Sequence, residues 1–282
     1  MNSIVNIARR QASSGGGASI TYPADTFSDM SFAFGLIKAS SSYSGDCLEI
    51  QRDSDGAYNT VGWKADGTAD LSGVLSWAGT DTVNVTEVYD STGNGNTLVN
   101  TTAASQAILA SGGSLNLYDN QLFMNDKFYQ FVTGGTNTPY SAPELDLYTV
   151  YTPQSSAGKF SLAITNADIN SGFSLLADNL TATNINYRFG SPIYYQDGAL
   201  KSWANRTAVK TDVLVPLTRT QLSILGGDAS LGITNNSNLR IGGSSYNYII
   251  IGGKTLWGWV KDTSSERTAI EAMINEKVNI SI

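Results

Sequence analysis

The chain has 282 residues, a formal net charge of −7, 15% charged residues, one cysteine and no histidine. That length suits one large all-β domain or two small ones, and it can bury a core without a disulfide or metal staple. The missing histidine excludes Ser-His-Asp and Cys-His catalysis and histidine-ligated zinc. The acidic balance argues against nucleic-acid partners, which require a basic face.

Residues 1–19 read as a separate piece. Met1 to Gln11 lack the long apolar core of a secretory signal or a membrane span. Ser13-Ser14-Gly15-Gly16-Gly17-Ala18-Ser19 has flexible-linker composition. Ile4, Val5 and Ile7 give this segment an apolar face, so it is expected to be either a free tail or an anchoring arm that docks on a partner. The domain proper is expected over 20–282.

From residue 20 onward, short strand-like runs alternate with Gly/Asn/Asp/Ser turns. Strands are expected at 31–37, 47–52, 82–89, 145–151, 159–164, 173–176, 186–189, 211–217, 221–225, 239–241 and 246–251. Regular short strands with turn signals between them predict an all-β sandwich or barrel. Asp53-Ser54-Asp55-Gly56 opens like a calcium loop, but Lys64 occupies the twelfth position where that loop needs Glu. A polar β-turn is the expectation there, with no metal and no cofactor. A short helix is expected over 70–77 with Asp70 as its N-cap. Thr82 to Tyr89 is a β-branched strand running into Asp90-Ser91-Thr92-Gly93-Asn94-Gly95-Asn96, where Asn94-Gly95 favours positive φ at both turn positions. Thr263-Ser264-Ser265-Glu266 is a capping box that predicts a C-terminal helix carrying Ile270, Met273 and Ile274 on one face.

Aromatic residues offer chemistry for stacking on sugars. Tyr194, Tyr195, Trp203 and Asn205 form the candidate carbohydrate-binding set, with Trp203 expected at the surface among Ser202, Asn205 and Arg206. Trp257 and Trp259, two apart on a strand, share a face and read as core filling. Cys47 reads as a small buried core residue.

Three stretches resemble one family. Ser40-Ser41-Ser42-Tyr43-Ser44-Gly45, continuing to Gln51-Arg52-Asp53-Ser54-Asp55, is similar to the opening of arabinofuranosidase-B-like catalytic domains. Tyr89-Asp90-Ser91-Thr92-Gly93-Asn94-Gly95-Asn96 resembles their YDQSGNGN corner, and Leu239-Arg240-Ile241-Gly242-Gly243 resembles their LGIGGD strand. The resemblance implies a concanavalin-A-like jelly-roll β-sandwich. It also implies a retaining mechanism with two carboxylates, the acid being an Asp after the Gly-Gly pair. Here Ser244 follows Gly242-Gly243. The family's nucleophile lies near a vicinal cysteine pair that this chain lacks, and Asp168 is the carboxylate nearest that region.

The same fold module occurs in bacteriophage virion proteins without activity. Ser244 and the arm-plus-linker layout together favour a non-enzymatic virion component: a head fibre, capsid decoration or tail-associated homo-oligomer. It is expected to be anchored to other virion proteins through Ile4, Val5 and Ile7, with cell-surface glycans as a further partner. The alternatives are an arabinofuranosidase-like glycoside hydrolase and a lectin-like glycan-binding module.

Overall fold

The computed structural model describes residues 20–27, 30–118, 121–122, 128–133, 144–151, 160–166, 172–177, 186–187, 193–213, 220–228, 239–242, 255–259 and 267–278. The first half contains α1 (Pro23–Thr26), β1 (Met30–Gly35), β2 (Leu48–Arg52), β3 (Tyr58–Val61), α2 (Val74–Ala78), β4 (Val83–Tyr89) and β5 (Asn96–Val99). The short strands β6 (Ile108–Ser111), β7 (Ser114–Leu115), β8 (Leu117–Tyr118) and β9 (Gln121–Leu122) follow. Next come β10 (Phe128–Thr133), β11 (Glu144–Tyr151), β12 (Phe160–Asn166), β13 (Gly172–Ala177) and β14 (Asn186–Tyr187). The chain closes with β15 (Ile193–Gln196), β16 (Ala199–Lys201), α3 (Arg206–Val213), β17 (Thr220–Asp228), β18 (Leu239–Gly242), β19 (Thr255–Trp259) and α4 (Arg267–Val278).

Two antiparallel sheets form a sandwich. One has the order β1-β19-β11-β17-β15-β16, and the larger runs β14-β13-β12-β18-β10-β5-β4-β2-β3, with β6 and β7 attached beside β4. The alternation of each strand decides which residues enter the core. Leu48 and Ile50 of β2 and Val83, Val85 and Val88 of β4 point inward. They meet Phe32 and Phe34 of β1, Leu222 and Ile224 of β17 and Tyr194 of β15 in one cluster between the sheets. Cys47 lies in this cluster as a free, buried thiol, and burial pushes its pKa well up.

The opposite face of the six-stranded sheet is also covered. Ala33, Tyr148 and Leu225 pack there against Phe27, Met30 and Ile270 of α4. A partly buried ion pair within α4 holds Arg267 Nη1 2.6 Å from Glu271 Oε2, and the Ser223 hydroxyl ties the helix to the sheet by donating to Glu271 Oε1 at 2.8 Å.

The corner at 89–96 joins the sheets. Asp90, only 2% exposed, accepts hydrogen bonds from Ala33 N (2.9 Å), Thr92 N (3.0 Å), Thr92 Oγ1 (2.7 Å) and Asn96 Nδ2 (3.0 Å). Ser91 N donates to Ala33 O, and Asn94 Nδ2 donates to Met30 O at 2.8 Å. The end of β4 is thereby tied to β1 of the other sheet. Burial pushes the Asp90 carboxyl above the usual range, against the pull of its hydrogen bonds. Positive φ falls on Gly93 (91°) and Gly95 (79°), not on Asn94, so the turn relies on its glycines alone for the left-handed conformation.

Several sequence expectations change. Helices extend beyond the terminal one. Residues 211–213, expected as strand, close helix α3, for which Asn205 Oδ1 accepts Ala208 N at 2.9 Å as an N-cap. Asp70 does not cap α2. Its carboxylate accepts from Ser72 N and Oγ, and Gly73 stands at the N-cap position. Asp53-Ser54-Asp55-Gly56 is a turn, in which Asp55 pairs with Arg52 and accepts Ala57 N. Ile4, Val5, Ile7, Asp168, Ser244, the capping box at 263–266 and the run at 246–251 lie outside the described residues.

Candidate active site

A two-carboxylate reaction needs a pair of acids held close together with different affinities for protons. Among the described residues, β2 and β4 supply one. Glu49 and Glu87 stand directly opposite each other in the antiparallel register. Their inward neighbours Leu48, Ile50 and Val88 are buried in the core, while both glutamates are half-buried on the other face of the larger sheet. Directly opposed residues have Cβ atoms about 4.5–5.5 Å apart. The two carboxyls are close enough for the charge of Glu49 to act on Glu87.

A β-bulge shapes this pair. The register shifts between Glu49 and Ile50, which face Glu87 and Val85, so Thr86 is an extra residue on β4. Bulges re-aim side chains. Here the Thr86 hydroxyl donates to Glu49 Oε1 at 2.8 Å.

The two acids have unlike surroundings. Burial, and then the charge of Glu49, raise the pKa of Glu87, against the lowering effect of a hydrogen bond from the Tyr89 hydroxyl. Tyr89 itself is pushed well up by burial and by the charges of Glu87, Glu49 and Asp46. The register neighbours complete the ring around the pair: Thr60 of β3 beside Glu49 and Val99 of β5 beside Glu87. No cation faces the pair among these neighbours. Glu87 is thus disposed to keep its proton, and Glu49 is held by the Thr86 hydroxyl.

The expected carbohydrate-binding set is dispersed. Trp203, expected at the surface, is 9% exposed and belongs to the inter-sheet core. Its ring packs 5.2 Å from that of Tyr194, and its Nε1 donates to Asp212 Oδ2 at 2.8 Å. Tyr194 is buried as well. Tyr195 lies on the opposite face of the sheet, with the Arg267 guanidinium 3.8 Å from its ring centroid. Asn205 caps α3. The alternation of Tyr194 and Tyr195 across a strand covered on both faces accounts for this split. No group of three or more His, Cys, Asp or Glu able to hold a metal occurs among the described residues. Among those residues no helix is long and apolar enough to cross a membrane.

Comparison with known proteins bears on this scaffold. The family model for the catalytic domain of alpha-L-arabinofuranosidase B matches residues 29–134, which contain Glu49, Glu87 and the 89–96 corner. Three solved structures share the fold. One is a Glu-to-Gln mutant of a GH54 α-L-arabinofuranosidase soaked with 4-nitrophenyl α-L-arabinofuranoside: TM-score 0.54, 16% identity, 91% of this chain and 66% of that one. The second is a GH54 α-L-arabinofuranosidase soaked with a cyclic sulfate inhibitor: TM-score 0.53, 17% identity, coverage 91% and 66%. The third is an arabinofuranosidase complexed with arabinofuranosyl-α-1,2-xylobiose: TM-score 0.53, 17% identity, coverage 91% and 65%. The chain thus spans slightly less than two thirds of the length of these structures. No curated protein matches it.

These findings correct the expectation of a non-enzymatic virion component. The matched family and the solved structures of like fold are arabinofuranosidases, not head-fibre, decoration or tail proteins. The assignment to a virion, the symmetric virion oligomer and the anchoring of Ile4, Val5 and Ile7 to other virion proteins are set aside on the same ground. Ser244, from which the lack of activity was inferred, says only that a carboxylate at that position is missing.

Proposed function

We propose that this chain is an arabinofuranosidase-like retaining glycoside hydrolase domain, built on a concanavalin-A-like jelly roll over 20–282. Residues 1–19 then form an arm and Gly/Ser linker ahead of it. The observation that supports this reading best is the family match over 29–134, within which a carboxylate pair stands in direct register. In this reading Glu49 attacks the anomeric carbon of an α-L-arabinofuranosyl unit, forming a glycosyl ester. Glu87 gives its proton to the leaving oxygen. Water then adds to the anomeric carbon, Glu87 takes its proton, and Glu49 departs as carboxylate. Burial and the charge of Glu49 raise the pKa of Glu87, which favours its role as proton donor, and the Thr86 hydroxyl holds Glu49 in place.

The test is turnover of 4-nitrophenyl α-L-arabinofuranoside by the wild-type chain and by Glu49→Gln, Glu87→Gln and Asp168→Asn. Loss of a general acid is expected to cost roughly 10²–10⁴-fold in rate. Turnover that survives both Glu substitutions but falls with Asp168→Asn transfers the nucleophile to Asp168.

A further inference from the structure

Asn94-Gly95 is the only Asn-Gly pair in the chain; every other asparagine is followed by a residue that carries a side chain. A side-chain amide can be attacked by the backbone nitrogen of the next residue, and a side chain on that residue hinders the approach. The corner leaves this nitrogen open. Gly95 is exposed, and its N–H makes no hydrogen bond among the described residues. The nitrogens around it are engaged: Asn94 N donates to Thr92 Oγ1 at 3.2 Å, and Asp90 N donates to Asn96 O at 3.1 Å. At φ 79° Gly95 stands in the left-handed region, where any side chain would be strained. The turn therefore demands the one residue that leaves its nitrogen uncovered.

The Asn94 amide also has a structural task. Its Nδ2 donates to Met30 O at 2.8 Å, which ties the tip of the corner to β1 of the other sheet. An ionised carboxylate in its place only accepts hydrogen bonds, so it would set an acceptor against the Met30 carbonyl. An isoaspartyl link goes further, because it inserts a methylene into the main chain of a turn whose shape rests on Gly93 and Gly95.

We propose that Asn94-Gly95 is a self-modification site, at which the chain converts its own asparagine to aspartyl and isoaspartyl forms and detaches the corner from β1. Gly95 N gives its proton to solvent and bonds to Asn94 Cγ. The Cγ–Nδ2 bond breaks, and Nδ2 leaves as ammonia with a proton taken from solvent. Water then opens the resulting succinimide. Attack at one carbonyl gives the aspartyl chain, and attack at the other gives the isoaspartyl chain. No oxidant, metal or partner is needed, and the site stands independently of the hydrolase reading.

The experiment is incubation of the full folded chain at pH 8 and 37 °C, with peptide mapping by mass spectrometry and urea unfolding of the same samples. Deamidation at Asn94 should exceed that at every other asparagine, and its peptide should separate into two products of equal mass. Loss of the Met30 contact should lower the folding equilibrium constant of the converted chain roughly tenfold. Asn94→Asp should show the same fall without incubation. Asn94→Gln, whose longer side chain closes a larger ring far more slowly, should form neither product and keep its stability throughout. The mapping needs only the wild-type chain, so a variant that fails to fold leaves the test intact. An Asn94 that stays unconverted over several weeks, or that converts more slowly than other asparagines, overturns the site. Full conversion with an unchanged urea midpoint overturns the detachment from β1.

Discussion

Replacing Asp90 by alanine should unlock the two sheets. The carboxylate accepts from Ala33 N, Asn96 Nδ2 and both donors of Thr92, within 2.7–3.0 Å. Thr92 is half-buried and can turn to water. Ala33 is fully buried, so its N–H loses its acceptor without replacement, and Asn96 loses one of its contacts in an equally buried place. A buried donor left unsatisfied costs about 1–3 kcal/mol. Relief of the buried charge offsets part of the sum, so Asp90→Ala should lose about 3 kcal/mol. Asp90→Asn keeps one acceptor oxygen for Ala33 and Thr92 and sets an amide against Asn96, so about 1–2 kcal/mol is expected. Urea unfolding followed by tryptophan fluorescence measures both, and an unchanged slope would confirm that the denatured state is not altered. Asp90→Ala within about 0.5 kcal/mol of wild type, the spread of ordinary surface substitutions, would refute the clasp.

Two further outcomes follow from the site and the helices. The folded-state pKa of Glu87 is raised, so its contribution to stability is complete below the unfolded value and is lost as pH rises through the folded one. Glu87→Gln, permanently neutral, should therefore raise the melting temperature at pH 8 and leave it nearly unchanged at pH 4, by differential scanning calorimetry. An equal shift at both pH values contradicts the like-charge pairing with Glu49. Asn205→Ala removes the acceptor for Ala208 N and should cost about 1 kcal/mol; an unchanged urea midpoint would show that the cap is idle.

The strands legible in the sequence are those whose alternation survives in the fold. Val83 and Val85 on β4 and Leu48 and Ile50 on β2 set the inward face and predicted their strands within a residue or two. The 89–96 corner was legible because turn chemistry is local. Its role as a clasp was not, because its partner Ala33 is 57 positions away. Helix α3 hid behind the β-branched Thr211 and Val213, although Asn205 was an available N-cap signal. Trp203 was misplaced because its polar neighbours in sequence are not its neighbours in space: its indole turns inward to Tyr194 and Asp212. The Glu49–Glu87 pair escaped the reading for two reasons. Which strands neighbour each other is not encoded locally, and the bulge at Thr86 breaks the period-2 pattern that would have put Glu87 on the inward face with Val83 and Val85. A Glu at the position where the Val83/Val85 alternation called for an apolar residue was the available hint.

The proposed reaction is cleavage of an arabinofuranoside through Glu49 and Glu87. Its most direct measurement is time-resolved proton NMR of 4-nitrophenyl α-L-arabinofuranoside with the wild-type chain and the two Glu→Gln variants. The α-anomer of arabinose is expected to appear first, with turnover falling at least about 10²-fold in each variant. No turnover by the wild-type chain, the β-anomer appearing first, or full activity in both variants would contradict it.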